Sequence, residues 1–360
     1  MKEITLLCSF FLFLVSNQAE AFSQFVDLQL NSSPKIAGID SYSMRIAFTE
    51  VNPGKEETIV FVHGNSASKE FFQKLCEEKA LENYRLIAVD LPGHGESSNF
   101  PKELTTYFDG NPKRIFVNHL DYYTFPGYAR ILTEFIKAKD LHQSNLHWVG
   151  WSLGAHVVTA VVGMMGESPN LGKVILTGGM ISSMAETKAD FENLKKFKPE
   201  QLFGGKQVSV YDLLSYPDFF TEKEARVFHH MGGIPPSELT TNAGMRTDPN
   251  ARKWMIQFGF ECAEHVELLG AYFLDSISIA EAHISHFGMI RGSLDPIQMR
   301  DTHRVWLQER KVPVVELEQV GHAAFFEKPA AFSEALLNII QAKPPKSQTA
   351  ENINNRRIDF

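Results

Sequence analysis

The chain has 360 residues, 44% of them hydrophobic and 22% charged, with a formal net charge of −8. That composition is globular, long enough for one large core with an insertion, and its acidic balance excludes the basic footprint of a nucleic-acid binder. No apolar run reaches the length of a bilayer span, and no internal repeat is present.

The N-terminus reads as an export leader. Lys2 precedes the apolar run Ile4 to Val15, and Ala19-Glu20-Ala21 offers a cleavage site, so 1–21 is expected to be removed and Phe22 to begin the mature chain. Periplasm and extracellular medium are equally compatible. Cys76 and Cys262 then remain, as a disulfide or as two buried thiols.

Residues 40–52 read as a strand near a sheet edge, closed by Pro53-Gly54. Glu57 to Val62 is apolar without alternation, the mark of a parallel strand covered on both faces. It runs into His63-Gly64-Asn65. Ligands of such sheets gather at the carboxyl ends of the strands, which places the Asn65 N–H, together with that of Leu153, to receive an oxyanion. Residues 69–82 have a helical pattern, Tyr84 to Asp90 is another buried strand, and Leu91 to Ser97 is a turn. Asp90, His63 and His94 are expected to serve the turn backbone rather than the chemistry. The aromatic segment 98–122, with Tyr107, Phe108 and Phe116, lines a pocket mouth or packs on the surface, and Thr124 opens a helix.

The apolar strand Leu146 to Val149 then meets Gly150-Trp151-Ser152-Leu153-Gly154, followed by a helical stretch to Met165. Strand, tight turn and helix around Gly-x-Ser-x-Gly make a nucleophile elbow, with Ser152 lifted clear of the sheet and Gly150 and Gly154 leaving room for the crossing backbone. Taken together, Thr58 to Asn65, Val89 to Ser97 and Gly150 to Gly154 closely resemble the α/β-hydrolase superfamily. The resemblance implies an α/β fold with a mostly parallel eight-stranded sheet covered by helices.

Lys173 to Gly179 is the next strand and ends in glycines, without a carboxylate. The roughly 100 residues that follow are too long for a simple connection. They read as an inserted, mainly helical cap over 181–284, with helical segments at 190–197, 222–230 and 251–264. Its aromatic residues supply the cap's own core and part of an apolar pocket. The core would then comprise 22–180 and 285–341. After the strand Ser285 to Gly292, the resemblance implies that Asp295 is the triad acid. After the last strand, Val312 to Val320, it implies that His322 is the general base, in the family's order Ser, Asp, His. His283, His286 and His303 compete for that role but lie in or beside a strand and in a helix. A final helix spans about 330–341, and 342–360 reads as a disordered tail.

The resemblance implies a serine hydrolase, esterase- or lipase-like, forming an acyl-enzyme on a substrate with an apolar acyl or alkyl group. Such chemistry needs no metal and no cofactor. Thioesterase, lactonase, C–C hydrolase and acyltransferase activities share the triad, and a slow or inactive ligand-binding receptor is the alternative of another class. Serine at the elbow disfavours dehalogenases and epoxide hydrolases, which use aspartate there.

Overall fold

A computed structural model describes residues 23–36, 39–102, 121–166, 168–179, 196, 209–254, 276–295 and 301–342. The expected leader 1–21, Cys262, most of 98–122, nearly all of 190–197, residues 255–264 and nearly all of the expected tail 342–360 lie outside these. The described chain forms one eight-stranded sheet in the order β1-β2-β4-β3-β5-β6-β7-β8. The strands are β1 Gln24–Ile36, β2 Ile39–Val51, β3 Glu57–Val62, β4 Arg85–Val89, β5 Asn145–Trp151, β6 Leu171–Thr177, β7 Phe287–Gly292 and β8 Val314–Leu317. β1 with β2 and β2 with β4 are antiparallel, and every other pairing is parallel.

The unbroken apolar runs follow from burial on both faces. Val60, Val62, Ile87, Val89, Trp148, Val174 and Leu176 point into one core. Ile59, Phe61, Leu86, Ala88, Val149, Trp151 and Ile175 point into the other. Helices α2 Phe125–Ala138, α3 Leu153–Met165 and α7 Ser276–Ala282 cover the first face; α1 Gln73–Cys76, α9 Ala324–Glu327 and α10 Pro329–Gln341 cover the second. Thr124 caps α2, its Oγ1 accepting from the Gly127 N–H at 3.0 Å. α8 Asp301–Glu309 precedes β8. Between β6 and β7 the described chain is helical, with α4 Val210–Ser215, α5 Glu222–Phe228 and α6 Glu238–Arg246. Among the described residues no helix is long and apolar enough to cross a membrane.

Two details differ from the expected elements. β1 occupies the sheet edge outside β2, with Leu28 and Leu30 turned inward between exposed neighbours. The stretch 69–82 is not one helix: it breaks into 3-10 turns at Lys69–Phe72 and Lys79–Leu81 around the four residues of α1. Its first turn is drawn inward by Lys69. The buried Lys69 ammonium sits 2.9 Å from Asp90, 2.8 Å from Glu70 and 2.7 Å from Glu96, bridging the three carboxylates from within. Cys76 is a buried free thiol, and burial pushes its pKa up to about 12. Tyr122 and Tyr123, at the end of the aromatic segment, are buried, with Tyr122 5.9 Å from the Trp254 ring. In the insertion Phe220 and Trp254 are buried, whereas Phe219 is exposed.

Candidate active site

The site is built at the carboxyl ends of β3, β5, β6, β7 and β8. Ser152 follows β5 and begins α3 with φ +54° and ψ −114°, a left-handed backbone unusual for a residue with a Cβ. Its N–H is held by Thr177 O at 2.9 Å, and the Ala155 N–H donates to its carbonyl at 3.0 Å. The N-terminal end of the 13-residue α3 lies directly behind it, a favourable place for a developing anion.

The elbow glycines are steric requirements. A Cβ on Gly154 would lie 2.2 Å from Val62 O, and one on Gly150 would lie 2.4 Å from Gly154 O. Both obstacles are backbone and cannot rotate aside. Gly154→Ala is therefore expected to cost about 3 kcal/mol of stability, measured as a shift in the urea unfolding midpoint. A midpoint unchanged from the parent protein would contradict this reading of the elbow.

His322 follows β8, and its Nδ1 is 3.0 Å from Asp295 Oδ1. Asp295 is buried, 4% exposed, at the end of the loop after β7. Backbone contacts hold the two loops together. The Leu294 N–H donates to Val320 O at 2.8 Å, and a Cβ on Gly292 would lie 2.2 Å from both Val320 O and Gly321 O. Trp151, next to Ser152, donates its Nε1–H to His322 O at 3.0 Å, and the two rings lie 5.8 Å apart. Acid, histidine and serine loops thus share one edge of the sheet. Ser152 makes no side-chain cap to its helix, and among the described residues His322 does not hydrogen-bond its hydroxyl. Such bonds commonly tighten only when substrate is bound.

Asn65 lies beyond β3, where Gly64 comes so close that a Cβ would be 3.1 Å from Ser152 Cβ. Among the described residues, neither the Asn65 N–H nor the Leu153 N–H finds an acceptor.

The competing residues have other duties. His63 Nδ1–H donates to Gly64 O at 2.7 Å and its Nε2 accepts from the Leu91 N–H at 3.0 Å. Complete burial pulls its pKa down to about 4 and keeps it neutral. Asp90 accepts from the Lys69 N–H at 2.7 Å and from the Glu96 N–H at 2.9 Å, pinning the turn that follows it. His94 is buried among these groups, and desolvation holds its pKa far below 6.5. His283 and His286 precede β7, at the edge of the sheet away from the crevice, and His303 is within α8.

Several contributors escape a reading of motifs. Gly178 has φ +58°, and a Cβ there would lie 2.7 Å from His322 Cε1; one on Gly179 would lie 2.4 Å from Ala155 Cβ. This glycine pair, visible in the sequence only as a strand end without a carboxylate, makes room for both the imidazole and the elbow. Glu327 accepts from the Gly321 N–H at 2.9 Å and so steadies the histidine loop. Its carboxyl pKa is raised, chiefly by burial. The insertion also reaches in: Gly232 O accepts from the His322 N–H at 2.8 Å.

Comparison with known proteins fits this geometry. Monoacylglycerol lipase abhd6-B of Xenopus laevis is 27% identical over 105 residues, which is 29% of this chain and 26% of that protein. The chain thus spans about a quarter of that relative's length. Among solved structures, the N-acyl homoserine lactonase AidH superposes with TM-score 0.58 at 21% identity, covering 89% of this chain and 98% of its own. A mutant haloalkane dehalogenase DatA from Agrobacterium tumefaciens gives TM-score 0.58 at 17% identity, covering 89% and 97%. At such identities the likeness shows the fold alone, and these neighbours carry different chemistries. The sequence profile described as alpha/beta hydrolase family matches residues 59–335, well over half of the length, and the chain belongs to that family.

Proposed function

We infer that this α/β hydrolase is an exported serine esterase that cleaves carboxylic esters with an apolar acyl or alkyl group through an acyl-enzyme. The observation that carries the reading is the left-handed Ser152 at the head of α3, on the same sheet edge as the His322–Asp295 pair. In this mechanism Ser152 Oγ attacks the ester carbonyl while His322 Nε2 takes its proton. Asp295 holds the opposite Nδ1–H, fixing the tautomer and stabilising the imidazolium. The carbonyl oxygen becomes an oxyanion facing the Asn65 and Leu153 N–H groups, each worth about 3 kcal/mol of transition-state stabilisation. Collapse expels the alcohol, which receives the proton from His322, and water activated by the same imidazole releases the acid.

The likeness to a lipase over part of the chain favours esters. A panel of p-nitrophenyl acyl esters, thioesters and lactones tests the reading. Multiple turnovers on esters, with the highest kcat/KM among the three classes, are expected; release of at most one equivalent would mark a binding protein instead. Export is tested by sequencing the N-terminus of the protein recovered outside the cytoplasm. It should start at Phe22, and a chain retaining 1–21 would contradict the leader.

A further inference from the structure

Ser66 stands immediately after the oxyanion donor Asn65 and has a left-handed backbone, φ +57°. That conformation is uphill for a residue with a side chain and persists only where its surroundings over-determine it. Two of the groups that hold it come from the helical insertion. His229, in the 3-10 turn His229–Gly232, lies 2.9 Å through Nε2 from Ser66 O. A carbonyl only accepts, so Nε2 carries the hydrogen. Burial keeps the ring neutral, lowering its pKa to about 4. Arg252 donates its Nε–H to Ser66 Oγ at 3.3 Å, and Ser66 Oγ donates onward to Asn65 Oδ1 at 3.0 Å.

Neither residue is free to swing away. The His229 ring packs 4.9 Å from Phe71 and 5.8 Å from Trp151, edge-on to the one and tilted against the other. Arg252 is 4% exposed, lies 3.7 Å over the Phe220 ring and donates to Gly244 O at 3.0 Å and Thr247 O at 3.3 Å. At the far end of the His229 turn, Gly232 O accepts from both His322 N–H, at 2.8 Å, and Ala323 N–H, at 3.3 Å. A Cβ on Gly232 would lie 2.8 Å from His322 Cβ.

We propose that His229 and Arg252 are positioning residues for the oxyanion donor, acting through Ser66 to aim the Asn65 N–H, while the same turn fixes the loop of His322. The insertion on this account completes the reaction centre. The kinetic part of the claim rests on the esterase reading above; the structural part does not.

The test compares His229→Phe, which keeps an aromatic ring but removes the donor, with His229→Gln, which restores an N–H at similar reach. On p-nitrophenyl butyrate, His229→Phe should lower kcat by about 10- to 100-fold, with KM within about twofold. His229→Gln should recover to within about fivefold of the parent. Inhibition by a trifluoromethyl ketone, which forms a tetrahedral adduct, should weaken by the factor lost in kcat/KM. Hydrogen–deuterium exchange in peptides covering Gly64–Phe72 should speed up in His229→Phe and return in His229→Gln. Arg252→Met, which removes the second donor, should speed the same exchange. Equal losses in the Phe and Gln variants, or exchange unchanged in His229→Phe and Arg252→Met, would overturn the proposal. Should the parent protein lack Ser152-dependent turnover, the esterase reading falls and the exchange comparison still decides the positioning claim.

Discussion

Ser152→Ala is expected to lower kcat on p-nitrophenyl esters by about 10⁶-fold, with KM little changed. The size of the effect follows from the absence of a substitute: among the described residues no other hydroxyl is placed on the left-handed bend at the head of α3. His322→Ala should cost nearly as much, because an unactivated serine is a poor nucleophile at neutral pH. Asp295→Asn should cost about 10⁴-fold. Its amide would favour the wrong imidazole tautomer across the 3.0 Å contact with Nδ1. Groups that work as a unit are non-additive, so the Ser152→Ala, His322→Ala double variant should be no slower than the worse single one. Steady-state kinetics on the purified variants checks all of this. Losses that multiply, or a serine variant retaining a hundredth of the parent rate, would show that the three residues do not act together.

The second large effect is on stability in acid. His63, His94, His147 and His229 are buried, and desolvation is the leading cause that lowers each pKa. His63, His147 and His229 fall to about 4, and His94 lies well below 6.5. At pH 7 all four are neutral in the folded chain and mostly neutral in the unfolded one. Below pH 6.5 the unfolded chain binds protons that the folded one refuses, so stability falls with pH, and it continues to fall until about pH 4. At pH 5 His63, His147 and His229 each contribute about 2 kcal/mol of destabilisation, about 6 kcal/mol together, and His94 acts in the same direction. That matches the whole stability of an ordinary domain, about 5–15 kcal/mol. Cooperative unfolding between about pH 4.5 and 5.5 is therefore expected, followed by far-UV circular dichroism. His147→Gln should flatten the slope by removing one proton, since Gln can still accept from the Lys173 N–H that His147 Nδ1 binds at 2.9 Å. A melting temperature constant from pH 7 to 4.5 would contradict the account.

The parts of the molecule that sequence alone reveals are those governed by local rules. Thr58 to Val62 and Arg85 to Val89 read as covered parallel strands because both faces must be apolar, and alternate residues do enter the two cores. Gly150 and Gly154 are legible because backbone crosses where their side chains would be. Asp295 and His322 are legible only through family resemblance, because a pair 27 positions apart has no local signature.

Other features depend on tertiary events. β1 carries the alternation of Leu28 and Leu30, but its pairing with β2 is what makes the alternation a strand. Lys69 and Glu70 read as the polar start of the helical stretch 69–82, and only the convergence of Asp90 and Glu96 brings the ammonium inside. His229 and His230 read as the end of the helical segment 222–230, and the 3-10 turn His229–Gly232 has no mark of its own in the sequence. Its contact with Ser66 and His322 exists only after two segments about 160 and 90 residues away have folded beneath it.

The central claim is that one hydroxyl, at the bend between β5 and α3, is the nucleophile. Reaction of the folded protein with a fluorophosphonate, followed by peptide mass mapping, tests it most directly. A single adduct on Ser152, absent from the Ser152→Ala variant and formed far more slowly in His322→Ala, is the predicted result. An adduct on another residue, or ester turnover that persists with Ser152 unlabelled, would contradict it.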